Sequence, residues 1–185
     1  MARYPHLKFE VNWRPFQLNP NQPKEGGNKM EELRRKYGDA NVQRMMPRLE
    51  QAFRGLDIPF KYGGNTCNTF DSHRLAAWAL TVGSDKQDAL MERIFRKYFC
   101  EEKSLSREEV LMEAVEEAGL DKQAASQVLS DASAFKDDVA LQKKKFARGV
   151  SGVPFFLFNG MEGVSGAQPP EVFASIFEEL EQTSN

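Results

Sequence analysis

The groups with chemistry to offer in this 185-residue chain are few: two thiols, two imidazoles, and an apolar run led by a proline. Cys67 and Cys100 stand far apart, and no CxxC joins either to a partner. A thiol attacks as its thiolate, which a helix N-terminus, a nearby cation or a partner thiol can favour. Cys67 precedes a predicted helix and is the better placed of the two. Cys100 falls near the end of another, where the helix dipole disfavours an anion. Both read as ordinary free thiols rather than a structural disulfide. His6 and His73 form no cluster with them at zinc spacing, so no metal is expected. His73 and Arg74 enter a predicted helix behind Asn65, Thr66 and Asp71. Two readings stand for this pair. They face a substrate groove, with Arg74 gripping a carboxylate, or Asp71 or Ser72 caps the helix while His73 supports the preceding loop.

These groups need elements to hold them. Leu7, Phe9, Val11 and Trp13 alternate with polar residues and predict a half-buried strand. Asn28 with Glu31 marks a helix start. Val42, Met45, Met46, Leu49 and Phe53 share one helical face that Gly55 closes, and Pro47 inside it predicts a kink or a fresh start near Arg44. Leu75, Trp78, Ala79 and Val82 predict the next helix. Ser84 with Gln87 and Ser106 with Glu109 read as capping boxes. Gly119 suits a helix end and Asp121 a helix start, and a last helical stretch covers 137–148. Val153 to Phe158 is short, apolar and aromatic, which predicts a strand buried on both faces. From the residues alone, Pro154 is a trans-proline that begins this strand. Asn159-Gly160 predicts a tight hairpin to a second strand near 161–165. A final helix follows from Gln168, with proline in its first turn. Strands at the two ends with helices between them imply an α/β domain carrying a helical insertion.

Hydrophobic residues make up 41%, charged residues 28%, and the net charge is −2. Nothing there favours nucleic acid or an anionic membrane as a partner. No apolar run approaches the ~18 residues of a membrane-spanning helix, and residues 1–10 hold no apolar leader core. The resulting expectation is a soluble, cytoplasmic protein.

Several pieces, taken in order, resemble the FrnE-type DsbA-like thioredoxin domains. They are Trp13-Arg14-Pro15-Phe16-Gln17-Leu18-Asn19-Pro20, Asn65-Thr66 through His73-Arg74-Leu75, Tyr98-Phe99, Gly149-Val150-Ser151-Gly152-Val153-Pro154, and Val164 to Glu171. The resemblance runs from about Phe9 to Leu180. It implies an α/β thioredoxin-like fold of DsbA type, divided as 1–57 and 149–185 around a helical insertion at 58–148. It implies disulfide exchange on a protein or small-thiol substrate. Pro154 becomes the cis-proline before a strand, with the Val153 backbone as an edge for an extended substrate. Val153, Pro154, His73 and Arg74 are therefore the expected substrate-binding residues, with no catalytic residue and no metal.

The family's βα unit with CxxC would precede the Trp13 strand, and this sequence opens after it. Two inner strand edges would then lack partners, at about 1–3 kcal/mol for each buried unsatisfied group. Three outcomes stay open. Met1 is not the biological start, or a partner or second copy donates a strand, or the Trp13 strand shifts to pair with the hairpin in a three-stranded sheet. Function is correspondingly open. The domain is an oxidoreductase rendered inactive or incomplete by the missing CxxC, a non-catalytic peptide- or client-binding module, or a glutathione-dependent transferase or isomerase of the kappa and 2-hydroxychromene-2-carboxylate isomerase type. No cofactor is expected, and glutathione enters only as a thiol substrate.

Overall fold

Helix-forming periodicity dominates the chain, and the computed structural model, which describes residues 4–160 and 162–183, is correspondingly helical. The elements in order are β1 (Gly27–Asn28), α1 (Lys29–Tyr37), α2 (Asp39–Arg54), β2 (Asn65–Thr66), α3 (Phe70–Val82), α4 (Ser84–Phe99), α5 (Glu108–Glu117), α6 (Lys122–Ser130), α7 (Lys136–Phe146), β3 (Phe155–Phe158), β4 (Glu162–Ser165) and α8 (Pro170–Thr183). The chain divides into two compact units, Met1–Lys145 and Phe146–Asn185.

In the first unit the core lies among α3, α4, α5 and α6. Leu75, Ala79, Leu90, Ile94, Leu111, Ala114, Val115, Ala125 and Val128 are buried there. Each helix contributes the stripe that its i, i+3, i+4 spacing placed on one side. Val82, expected on that stripe, is instead exposed at the end of α3. Caps explain where several helices begin and end. Asn28 accepts hydrogen bonds from the amides of Met30 and Glu31, and Asp121 does the same for Gln123 and Ala124. Past α5, Gly119 is left-handed (φ 65°). Its amide donates to Glu116 and that of Leu120 to Val115, the paired bonds of a Schellman ending.

Several sequence expectations change. The predicted strand over Leu7–Trp13 does not form: Leu7 lies in a bend and residues 8–13 carry no regular secondary structure. A strand exists only through a partner's hydrogen bonds, and here a side chain supplies them: the Gln87 amide accepts from the Trp13 N–H at 2.8 Å and donates to the Trp13 carbonyl at 3.1 Å. That use removes Gln87 from the predicted capping box. Gly83 precedes α4 without a side-chain cap. The second box fails as well, because Ser106 pairs with Ser104 and α5 starts after Arg107. Helix α2 runs uninterrupted through Pro47 from Asp39, with no fresh start at Arg44.

The described strands form two separate two-stranded sheets, β1–β2 and β3–β4, both antiparallel. The three-stranded sheet considered above is therefore absent among the described residues. In the second unit, Phe155 pairs with Ser165 and Phe158 with Glu162. Asn159 and Gly160 both take positive φ (47° and 75°), as the Asn-Gly signal required. Three positions, 159–161, connect the strands rather than two, and Met161 lies outside the described residues. Phe173 of α8 packs edge-on to Phe156 at 4.9 Å, and Phe177 to Phe158 at 5.9 Å.

Candidate functional site

β3 was expected to be buried on both faces, and it is not. Phe156 and Phe158 have α8 as a neighbour, whereas the alternation of a strand turns Phe155 and Leu157 to the other face. Phe155 lies across Gly163, where an added Cβ would meet its ring at 2.6 Å. Leu157 remains 44% exposed and Val153 47%. A strand reads as doubly buried only when both a second layer and a flanking strand cover it. Among the described residues no strand flanks β3 on its outer side. The Val153–Pro154 bond is cis. The Pro154 carbonyl accepts from the Gly166 amide at 2.8 Å, fixing the entry to β3.

His73 and Arg74 lie on α3 in the first unit, and both are engaged. Arg74 is 2% exposed. Its guanidinium donates to the carbonyls of Val128 (2.6 Å), Asp131 (2.8 Å) and Ala134 (3.0 Å), and to the Asp71 carboxylate (2.9 Å). Val128 and Asp131 lie at the C-terminal end of α6, where a helix leaves carbonyls short of partners, and Ala134 lies in the turn that follows. In this structure the Arg74 donors are directed to acceptors inside the fold. His73 is held by burial, and then by the Lys143 charge, at a pKa of about 4, so the imidazole is neutral. It lies 3.3 Å from the Thr69 hydroxyl and hydrogen-bonds the Phe16 backbone. These contacts tie His73 to the start of its own helix and to the segment at Phe16. Neither Asp71 nor Ser72 caps the helix. Thr69 precedes it without a side-chain cap bond, and Asn68 takes the Phe70 amide.

Cys67 is 5% exposed and Cys100 half-buried, both as free thiols. Around Cys67 the chain is tightly woven. β1 pairs with β2, and a Cβ on Gly26 would fall 1.5 Å from the Thr66 carbonyl oxygen. Burial pushes the Cys67 thiol up in pKa, and it outweighs hydrogen bonds from Ser104, Leu105 and Ser106 and the charge of Lys29. Sequence reasoning missed Lys29 altogether. It is 2% exposed, donates to the Tyr98 carbonyl at 2.6 Å, and places its ammonium 3.5 Å from the centre of the Tyr98 ring. Burial lowers its pKa to about 8, against the opposing pull of Glu102. A lysine in the first turn of a helix gives no signal of burial, since the long stem normally carries the charge to water.

The family then follows from comparison. The DSBA-like thioredoxin domain matches residues 1–178. A probable DsbA oxidoreductase from Streptomyces coelicolor, solved as a crystal structure, is 31% identical with a TM-score of 0.82, over 90% of this chain and 73% of that one. No curated protein matches. The chain belongs to the DsbA-like thioredoxin-domain family, with a thioredoxin-like fold rich in helix and no CxxC pair. This membership corrects the cytoplasmic expectation, because DsbA-family oxidoreductases are characteristically periplasmic or extracytoplasmic. The lack of an apolar leader core in residues 1–10 and of a membrane-spanning run had suggested the cytoplasm, but neither property fixes a compartment.

Proposed function

We propose that this domain binds an extended thiol- or disulfide-bearing polypeptide along β3 and does not turn over disulfides with its own cysteines. The observation that carries the reading is the exposed apolar edge from Val153 to Leu157, with no flanking strand among the described residues. Such an edge accepts an added strand through backbone hydrogen bonds, and alternate side chains give selectivity. The lack of turnover rests on the thiols. There is no CxxC, and Cys67 is buried with its thiol form favoured.

The test has two arms. The first measures reduction of a model disulfide by the 185-residue chain beside the variant with Cys67→Ser and Cys100→Ser. The expected result is no turnover above background in either; turnover lost in the variant would overturn the reading. The second measures binding of an unfolded, thiol-blocked polypeptide before and after Leu157→Lys. Weakening by about tenfold is expected, in line with loss of an apolar contact worth 1–2 kcal/mol. Binding of glutathione in place of the polypeptide would move the assignment to the glutathione-dependent relatives.

A further inference from the structure

One ammonium in the first unit is buried inside a ring of carboxylates. Lys97, near the end of α4, is 3% exposed. Its Nζ lies 2.5 Å from Glu117 and 3.4 Å from Glu113, both on α5, and 3.2 Å from Glu101, just past α4. Lys103 joins the set, 3.3 Å from Glu101 and bonded to Glu113. The ion-paired cations Lys24, Arg34, Arg35, Arg107 and Lys122 are each more than half exposed. Pairs of that exposed kind contribute little. A buried ammonium is different, because removing its partners leaves a charge that neither water nor protein compensates.

This cluster fastens the connection between α4 and α5, where residues 101–107 form no helix or strand. Glu101 and Lys103 belong to that connection, and the Lys103 amide donates to the Lys97 carbonyl at 3.0 Å. The same segment covers Cys67. Leu105 is buried in the core beside it, and the Ser104 side chain and the Leu105 and Ser106 backbones hydrogen-bond the thiol. The Glu102 carboxylate accepts from the Gly63 amide at 2.8 Å, at the approach to β2. The titratable groups that act on Cys67 from the other side are Lys29 and Tyr98.

Acid acts on this arrangement from one side only. Burial opposes the Lys97 charge, but the surrounding carboxylates outweigh it and raise its pKa, so it keeps its proton. Burial pushes the Glu101 carboxyl up, yet Lys97 and Lys103 outweigh it and hold it below the ordinary 4.5. Bonds from Lys103, then Lys97, hold Glu113 below it too. Carboxylates of lowered pKa stabilise the fold above their unfolded value, and that contribution is lost as pH falls through the folded value. Below about pH 4 the ammonium is then buried without its counter-charges. Its long stem can carry it to water once the connection moves.

We propose that the Lys97 cluster is an acid-labile clasp, which holds residues 101–106 over Cys67 and releases them when its carboxylates are neutralised. The clasp lies within the first unit and is independent of the reading of β3.

Labelling of Cys67 by dipyridyl disulfide tests it, in the full chain carrying Cys100→Ser. Each rate is divided by that of a short cysteine peptide under the same conditions. From pH 7 to about pH 3.5 the corrected rate is expected to rise about tenfold, as the loss of several partly exposed ion pairs would give. Lys29, with a pKa of about 8, is charged at both values. Glu101→Gln, Glu113→Gln and Glu117→Gln together should give the faster rate already at pH 7. That variant separates the clasp from His73, which gains its proton near pH 4. Hydrogen exchange on the natural chain locates the opening: in acid the Lys103 and Arg107 amides should lose protection while the core amides of α3 and α6 keep theirs. Should the triple variant not fold, this exchange measurement decides. An unchanged corrected rate in acid, a folded triple variant that labels no faster, or protection lost equally in α3 and α6 would each overturn the proposal.

Discussion

Lys29 and Cys67 show how far a residue's surroundings can move its chemistry. The Lys29 ammonium is buried against a carbonyl and a ring, and its pKa falls from the ordinary 10.5 to about 8. Between those values the unfolded chain keeps a proton that the folded chain has shed, so this group makes stability rise with pH across that window. Above about pH 9 the Cys67 thiol and the Tyr98 phenol, both pushed up by burial, pull the other way. The comparison that isolates the lysine is therefore thermal midpoint against pH for the protein and for Lys29→Met. From pH 8 to 10 the difference between the two curves should narrow in favour of the natural lysine. Cys67 makes a second prediction. With a thiol-specific reagent at neutral pH, Cys67 should react only on the timescale of opening, while half-buried Cys100 reacts first. Cys100→Ser should remove the fast phase and leave the slow one.

At the level of elements, single side chains replace regular pairing at two joints. Gln87 holds the chain at Trp13 in place of a strand partner, and the Trp13 indole N–H adds a 2.7 Å bond to Asp88 of α4. Arg74 closes the open end of α6 against α3. Truncating it would leave buried carbonyls unsatisfied and Asp71 with only the 3.9 Å contact to Lys24. Arg74→Ala should cost roughly 3–5 kcal/mol in denaturant unfolding. Arg74→Lys should recover only a part, because an ammonium cannot span the same fan of acceptors. A loss below about 1 kcal/mol for the alanine variant would show that water substitutes for the guanidinium. Much at this level was legible in the sequence. Asn28, Asp121 and Gly119 each specify a local geometry through bonds within a few residues and appear as expected, and Asn159-Gly160 takes the expected positive φ and turns the hairpin, though in a connection one position longer. The failures share a cause. The alternation at Leu7–Trp13 and the Ser84–Gln87 spacing satisfied local rules, but Gln87 is taken by a residue more than seventy positions away.

Over the whole molecule, the two units present different surfaces. The first buries a helical core, and the second leaves β3 apolar and uncovered on one side among the described residues. An edge of this kind favours association with other extended chains. Leu157→Lys should reduce light scattering at high protein concentration while changing stability by no more than about 0.5 kcal/mol, the usual range for an exposed site. Unchanged scattering would show that this edge is already protected in solution.

The sequence by itself determined the family, the helix-rich architecture, the hairpin and the absence of a CxxC, because these reside in ordered motifs and short-range geometry. It also carried Val153 and Pro154 forward as a candidate edge. Only the tertiary structure decided that Arg74 is directed to the end of α6, that His73 is tied to the segment at Phe16, that Lys29 is buried, and that β3 is exposed. Each of those outcomes depends on which distant group lies alongside. Burial and charge act through space, and one linear pattern is compatible with several such neighbours.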